Sequence, residues 1–295
     1  MSSRRRLWPL LALPGTLWNL LLFAVPFYGV LALAGGHDDL LFNRRVPEWN
    51  PLRWNGDAYS AVWHGLGNGI YGDPFARTCI YVALAMVGCF LIGYPVAYYV
   101  ARYGGRHRAL LLGLLLAPFW ISYLMRMLAW VNLLQDDGYV NDILRVLHLS
   151  VHGVQWLDAR WYTVVLGLVY GYVPFLVLPL FVALDRIDGR LLDASRDLGV
   201  GPTRTFLHVT LPLSRQGMLA AAAITALPMF GDYYTNTLLS GSPRTNMIGN
   251  QIQSAVRDAS TRGIGAALVL SLTAFLLVAM AWSLRSTSRD QGVAA

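Results

Sequence analysis

Six apolar runs, each long enough to cross a bilayer, leave this chain few folds to choose from. They lie at about 13–34, 78–101, 110–134, 162–184, 217–239 and 264–284. Crossing ~30 Å of hydrocarbon takes roughly 20 apolar residues as a helix. No water reaches the backbone there, so each run must satisfy its own hydrogen bonds as a helix. The composition agrees: 56% of residues are hydrophobic and 13% are charged, against about 25% charged in soluble domains. The expected fold is an all-α polytopic membrane helix bundle of six transmembrane helices, forming a single domain over 1–295. The fifth run is the weakest, because Pro228, Asp232, Tyr233, Tyr234 and Asn236 interrupt its second half.

Every one of the 23 basic residues is an arginine, and their placement sets orientation. Arg4, Arg5, Arg6, Arg102, Arg106, Arg108, Arg186, Arg190, Arg196, Arg204, Arg215, Arg285 and Arg289 fall on one side, against five aspartates. The other side carries nine arginines against ten acids. An arginine excess marks the cytoplasmic face, which puts both termini inside. The net charge of +7 is therefore read as topology and not as a nucleic-acid surface. Ser3-Arg4-Arg5-Arg6-Leu7 and Ala32-Leu33-Ala34 imitate a twin-arginine start and a cleavage site. The first apolar run, however, exceeds the roughly 7–15 residues of a signal h-region, so a retained first helix is expected.

The longest outside connection, 35–77, holds Trp49, Trp54, Trp63, Tyr59 and Tyr71 among Asn, Gly and Pro. It reads as a loop, serving either as an interfacial aromatic girdle or as a docking surface. Cys79 and Cys89 lie ten residues apart on one helix, too far to bond to each other, and are read as small buried hydrophobes. The histidines are scattered through loops without ligand spacing, and there is no GxxxxGK[ST] loop. No catalytic residue, metal site or cofactor is expected.

The informative stretch is the cytoplasmic connection 185–214. Leu191, Ala194, Ser195 and Leu198 recur at helical spacing and give a short helix a small apolar face. Gly199 suits the left-handed position that ends it, and Pro202 forbids continuation. A second short helix is expected from Thr203 to just before Pro212. In Asp193-Ala194-Ser195, Gly199 and Val209-x-Leu211-Pro212, this stretch resembles the EAA loop of binding-protein-dependent ABC importer permeases. Asp stands where Glu is usual, and Ser where a second Ala is usual.

Ile92-Gly93-Tyr94-Pro95, Ala117-Pro118-Phe119-Trp120, Gly138-Tyr139-Val140-Asn141, Gly167-Leu168-Val169-Tyr170 with Pro174-Phe175, and Met247-Ile248-Gly249-Asn250 extend the likeness. Together they resemble the PotB type of permease from spermidine/putrescine importers. The resemblance implies a type I ABC importer permease in the inner membrane. Its implied partners are a second homologous permease, a cytoplasmic ATPase dimer and an extracytoplasmic solute-binding protein, with a polyamine as solute. It also implies that Asp193, Ala194, Ser195, Gly199, Leu211 and Pro212 couple the chain to that ATPase. Residues 1 to about 73 match less well.

Two ionised residues lie within spans, Arg126 and Asp232. A charge at membrane depth costs ~2.5–3.5 kcal/mol on insertion scales, so each should face protein or water. Asp232 beside Tyr233 and Tyr234 suits an amine cation through charge and cation–π contact. Pro228, a turn earlier, can open the helix for such a site. Alternatively, Asp232 pairs with Arg126 or caps a loop; for Arg126 an ion pair or a snorkelling side chain is expected. The competing functions are an importer of sulfate, ferric ion or an amino-acid derivative, a stand-alone secondary transporter or channel, and a membrane scaffold.

Overall fold

The computed structural model describes residues 12–39, 44–149 and 153–292, with side chains described as far as 281. Arg4–Arg6 and His152 lie outside the described residues, as do the side chains of Arg285 and Arg289. The apolar runs are helices, and chemistry breaks two of them. The first, α1 (Ala12–Ala34), contains a π-turn at Leu20–Ala24 and shows Leu17, Trp18, Leu21 and Phe23 on its surface. Lipid, not water, suits such a surface.

The outer connection is more ordered than its composition implied. A short hairpin pairs β1 (His37–Asp39) with β2 (Arg44–Val46), Asp38 opposite Arg45. An eleven-residue helix, α2 (Asp57–Gly67), follows. Up to Gly72, together with Gln251–Ala279, these residues form one compact unit. Arg45, 7% exposed, holds it together. Its guanidinium donates to Asp38 (3.0 Å) and to the carbonyl of Ala34 (3.2 Å) at the end of α1, while its N–H donates to Ala259 O (3.0 Å). Those unpaired helix-end carbonyls are what a composition-based reading of the loop could not see. In the same unit, Asp258 accepts from the N–H and hydroxyl of Ser260, which holds its carboxyl below the ordinary range.

The second unit comprises Asp73–Asn250 and Met280 onward. Its long helix α3 (Gly72–Tyr103) carries Pro95 in its interior. The third expected span divides into α4 (Arg108–Leu116) with a 3-10 turn at Ala117–Trp120, and α5 (Tyr123–Leu134). Ile121 and Ser122 are extended, and the chain bends by 84° there. Pro118, which has no N–H to give the preceding turn, sits inside that break. A short amphipathic helix, α6 (Tyr139–Val146), leads to α7 (Trp161–Asp185), which contains Pro174 and Pro179.

The cytoplasmic connection forms α8 (Gly189–Asp197) and α9 (Pro202–Thr205). Next come a π-turn at Phe206–Thr210 and α10 (Leu211–Phe230). The fifth expected span therefore ends at Phe230 and not at Leu239. After Gly231 the chain restarts as α11 (Tyr234–Leu239), then α12 (Ile248–Arg257) and α13 (Arg262–Gly292). Among the described residues α1, α3, α7 and the first part of α13 are each long and apolar enough to span, and the bent 105–146 pair brings the number to five. With Arg215 in its first turns, α10 is not among them.

In this unit α3, α7 and α10 share a core of Ala85, Cys89, Leu168, Leu176, Val177, Leu180 and Ala221. Cys79 and Cys89 are both free, Cys89 fully buried. Lipid is as apolar as these side chains, so the core is held by close van der Waals packing more than by expulsion of water.

Candidate functional site

Two places carry unusual chemistry, both within the second unit. The first is the cytoplasmic helix α8. Asp188 caps it by accepting from the N–H of Arg190 (3.0 Å). At the other end Gly199 has φ +75°. Its N–H donates to Arg196 O (2.8 Å) and that of Val200 to Ser195 O (3.2 Å), the paired bonds of a Schellman termination. The expected left-handed glycine is present, but its reason is backbone alone: a Cβ added there meets nothing within 4 Å.

Leu192 is buried, and the Ser195 hydroxyl lies 3.0 Å from that of Thr205, tying α8 to α9. Leu191, Ala194 and Leu198 point away from the chain; Leu198 is 83% exposed. Of the face read from the spacing, Ser195 thus turns to α9, while Leu191, Ala194 and Leu198 have no partner among the described residues. Asp193 and Arg196 are exposed and form an i,i+3 ion pair at 3.6 Å.

Pro212 does not end a separate second helix. The backbone is helical without a break from Pro202 to Phe230. A proline ring clashes with the carbonyl four residues before it; here that is His208, within the wide turn Phe206–Thr210 that makes room for the ring. Phe206 in that turn meets Tyr94 and Tyr98 edge-on, each with centroids 5.6 Å away. Leu211 and Pro212 follow directly.

The second place is a cavity of about 310 Å³ between the two broken helices and the middle of α7. Tyr123 and Arg126 line it from the first turns of α5, Tyr172 and Phe175 from α7, and Pro228 and Asp232–Tyr234 from the α10–α11 break. Pro228 lies in the last turn of α10, and the chain leaves the helix two residues beyond it. Asp232 is 7% exposed. Its Oδ1 accepts from the N–H of Thr235 (3.0 Å); its Oδ2 accepts from the hydroxyls of Thr235 (2.7 Å), Tyr123 (2.8 Å) and Tyr172 (3.1 Å). Asp232 therefore caps α11 and ties it to α5 and α7. It does not pair with Arg126, whose Nε and Nη1 are buried without an acceptor. The Arg126 guanidinium lies instead over the Phe119 ring, 4.1 Å from its centroid. Tyr233 and Tyr234 stand ring against ring at 4.2 Å.

Sequence reasoning found Asp232, Pro228 and the two tyrosines after it, and missed Tyr123 and Tyr172. Gly167 and Gly171, four apart on α7, were the available signal, since small residues at that spacing admit a neighbour. A Cβ at Gly171 would lie 2.9 Å from the Tyr123 ring, and one at Gly167 would strike Leu239 and Thr235. Gly249 likewise abuts the Asp232 carbonyl, 2.6 Å from where its Cβ would stand.

Residues 91–289 match the family described as binding-protein-dependent transport system inner membrane component. The chain is 32% identical over 211 residues to the spermidine/putrescine transport system permease protein PotB of Haemophilus influenzae, covering 72% of this chain and 73% of that protein. It is 32% identical over 204 residues to PotB of Escherichia coli, covering 69% and 74%. Among solved structures, a chain of a bacterial alginate ABC transporter in complex with alginate pentasaccharide-bound periplasmic protein superimposes with TM-score 0.72. That match covers 98% of this chain and 96% of that one at 17% identity, a likeness of fold.

Proposed function

This chain belongs to the family of binding-protein-dependent transport system inner membrane components, and from that premise we propose that it is the permease subunit of a polyamine importer driven by a separate ATPase. It is a multi-pass inner-membrane protein. The observation that carries the solute class is the 32% identity, over about 70% of the chain, to permeases of spermidine/putrescine transport. We further infer six crossings with both termini cytoplasmic, α10 supplying the crossing its own hydropathy leaves ambiguous. The partners are a cytoplasmic ATPase dimer, a second permease of the same kind and an extracytoplasmic solute-binding protein.

In this reading the unpartnered face Leu191–Ala194–Leu198 seats α8 on the ATPase. Gly199 lets the chain turn back at once, so that the seat protrudes. ATP binding carries α8 as a rigid lever and the spans reopen outward; hydrolysis resets them. Such coupling needs α8 to make different contacts in the two states, because equal docking in both shifts nothing. The cavity at Asp232 lies on the solute path. Its aromatic walls suit an amine through cation–π contact, and Asp232 supplies negative charge while fixing Tyr123 and Tyr172 in place.

The test is uptake of radiolabelled spermidine and putrescine by cells lacking their own polyamine importers and expressing this chain with its companion subunits. ATP-dependent uptake that disappears in Gly199→Val supports both the solute and the coupling helix. An assembled complex that takes up neither amine refutes the polyamine reading and leaves family membership untouched.

A further inference from the structure

The cavity holds a charge that the polyamine reading does not use. Arg126 is 8% exposed, lines the cavity, and keeps Nε and Nη1 buried with no acceptor. A buried donor left without an acceptor is costly, and more so on a charged group. The Phe119 face returns part of that as cation–π attraction and satisfies none of the N–H groups.

The nearest candidate partner is already taken. Asp232 receives one donor on Oδ1, from Thr235 N–H, and three on Oδ2, from Thr235 Oγ1, Tyr123 Oη and Tyr172 Oη, and none from Arg126. Nε and Nη1 lie on different edges of the guanidinium, each edge completed by Nη2, so this wall of the cavity holds two unused donors beside a carboxylate already engaged by four others. A bare diamine offers such donors nothing, because both its ends are cations. A carboxylate meets a guanidinium with two parallel hydrogen bonds, while Tyr172, Phe175, Tyr233 and Tyr234 leave aromatic faces for an ammonium at the other end. At about 310 Å³ the space lies at the small end of ligand sites.

We infer that Arg126 is a specificity-determining residue that admits solutes carrying a carboxylate as well as an amine, so that the cavity accepts short amino carboxylates in addition to polyamines. This rests on the reading of the cavity as part of the solute path.

The experiment measures binding of radiolabelled 4-aminobutanoate and putrescine to the purified permease–ATPase complex without its binding protein, so that the cavity's own preference is read. The two probes share a chain length and differ by one ammonium replaced by a carboxylate. Wild-type complex should bind both saturably. Arg126→Gln should weaken 4-aminobutanoate at least tenfold and leave putrescine unchanged or tighter; Arg126→Lys should recover part of the loss. Retained putrescine binding shows that the variants are folded. Putrescine binding without 4-aminobutanoate binding overturns the inference, as does 4-aminobutanoate binding indifferent to Arg126→Gln. Binding of neither probe overturns it too. If Arg126→Gln instead separates the two permeases, the guanidinium's partner is an acid of the second subunit, and the inference fails. None of these outcomes bears on polyamine uptake by whole cells, which tests the importer reading separately.

Discussion

Replacing Tyr123 by phenylalanine removes one oxygen and asks whether the buried Asp232 carboxylate is ionised and held by its neighbours. Tyr123 Oη is one of three hydroxyls on Oδ2, at 2.8 Å; Tyr172 is a longer one at 3.1 Å. Neutral side-chain hydrogen bonds between membrane helices average about 0.6 kcal/mol in double-mutant cycles. Bonds to a charged group contribute about 1.5–3 kcal/mol. The neutral values reach at most about 1.7 kcal/mol, so only a loss above about 2 kcal/mol reports a charged acceptor. With Asp232 ionised and 7% exposed, Tyr123→Phe should destabilise the complex by about 1.5–3 kcal/mol, and Tyr172→Phe by less. Removing both leaves Oδ2 with Thr235 alone, so the double variant should lose more than the sum of the singles. The assay is reversible unfolding of the purified complex in mixed micelles, with all four members of the cycle measured together. Losses of about 0.6 kcal/mol that simply add would refute the reasoning.

Other expectations follow from the same geometry. Gly199→Val should abolish uptake while the complex still assembles, and Gly199→Asn should retain most uptake. The strain there is the +75° φ and not a clash; αL costs most residues about 1–2 kcal/mol and Asn less. Leu198→Glu, at an 83% exposed position, should change thermal stability by no more than about 0.5 kcal/mol yet lower co-purification of the ATPase. Gly171→Ala should push the Tyr123 ring off Asp232, since the new Cβ would lie 2.9 Å from it, and should reproduce the Tyr123→Phe loss with every polar group still present. Asp232→Asn should lower polyamine uptake more than it lowers expression; unchanged uptake kinetics would remove Asp232 from the solute path.

Most of the spans and the short helix α8 with its glycine stop were legible in the sequence because their signals are local. An apolar run of about 20 residues means a helix wherever it sits, and a left-handed glycine after an amphipathic turn needs only its neighbours. The cavity was half legible for the complementary reason. Asp232 and Pro228 stand out within a span, but Tyr123 and Tyr172 are ordinary residues of apolar helices until Gly171 lets α5 approach α7. Two helix boundaries were misplaced by the same limitation. Pro212 was read as a stop, because the π-turn that accommodates it has no signature in residue type. The run through Leu239 was read as one span, because the Asp232–Thr235 cap that starts α11 competes with continuation only once Tyr123 and Tyr172 hold the carboxylate there. Hairpin β1–β2 was read as loop because Arg45 and the carbonyls it binds are far apart in sequence.

The misread proline matters for mechanism. Had Pro212 ended a helix, α8 would join α10 by a flexible joint, and in the proposed mechanism its motion would be lost there. Instead the helical backbone runs from Pro202 to Phe230, which is 29 residues or roughly 40 Å at 1.5 Å per residue. One end is tied to α8 through Thr205 and Ser195; the other stops at Gly231, where the cavity begins. In the proposed mechanism a displacement of α8 by the ATPase is delivered along this helical rod to Pro228 at its far end. The π-turn within it is braced by Phe206, packed edge-on against Tyr94 and Tyr98. In the same proposed reading the break at Gly231 lets α11, fixed by Asp232 to α5 and α7, stay in place while α10 moves.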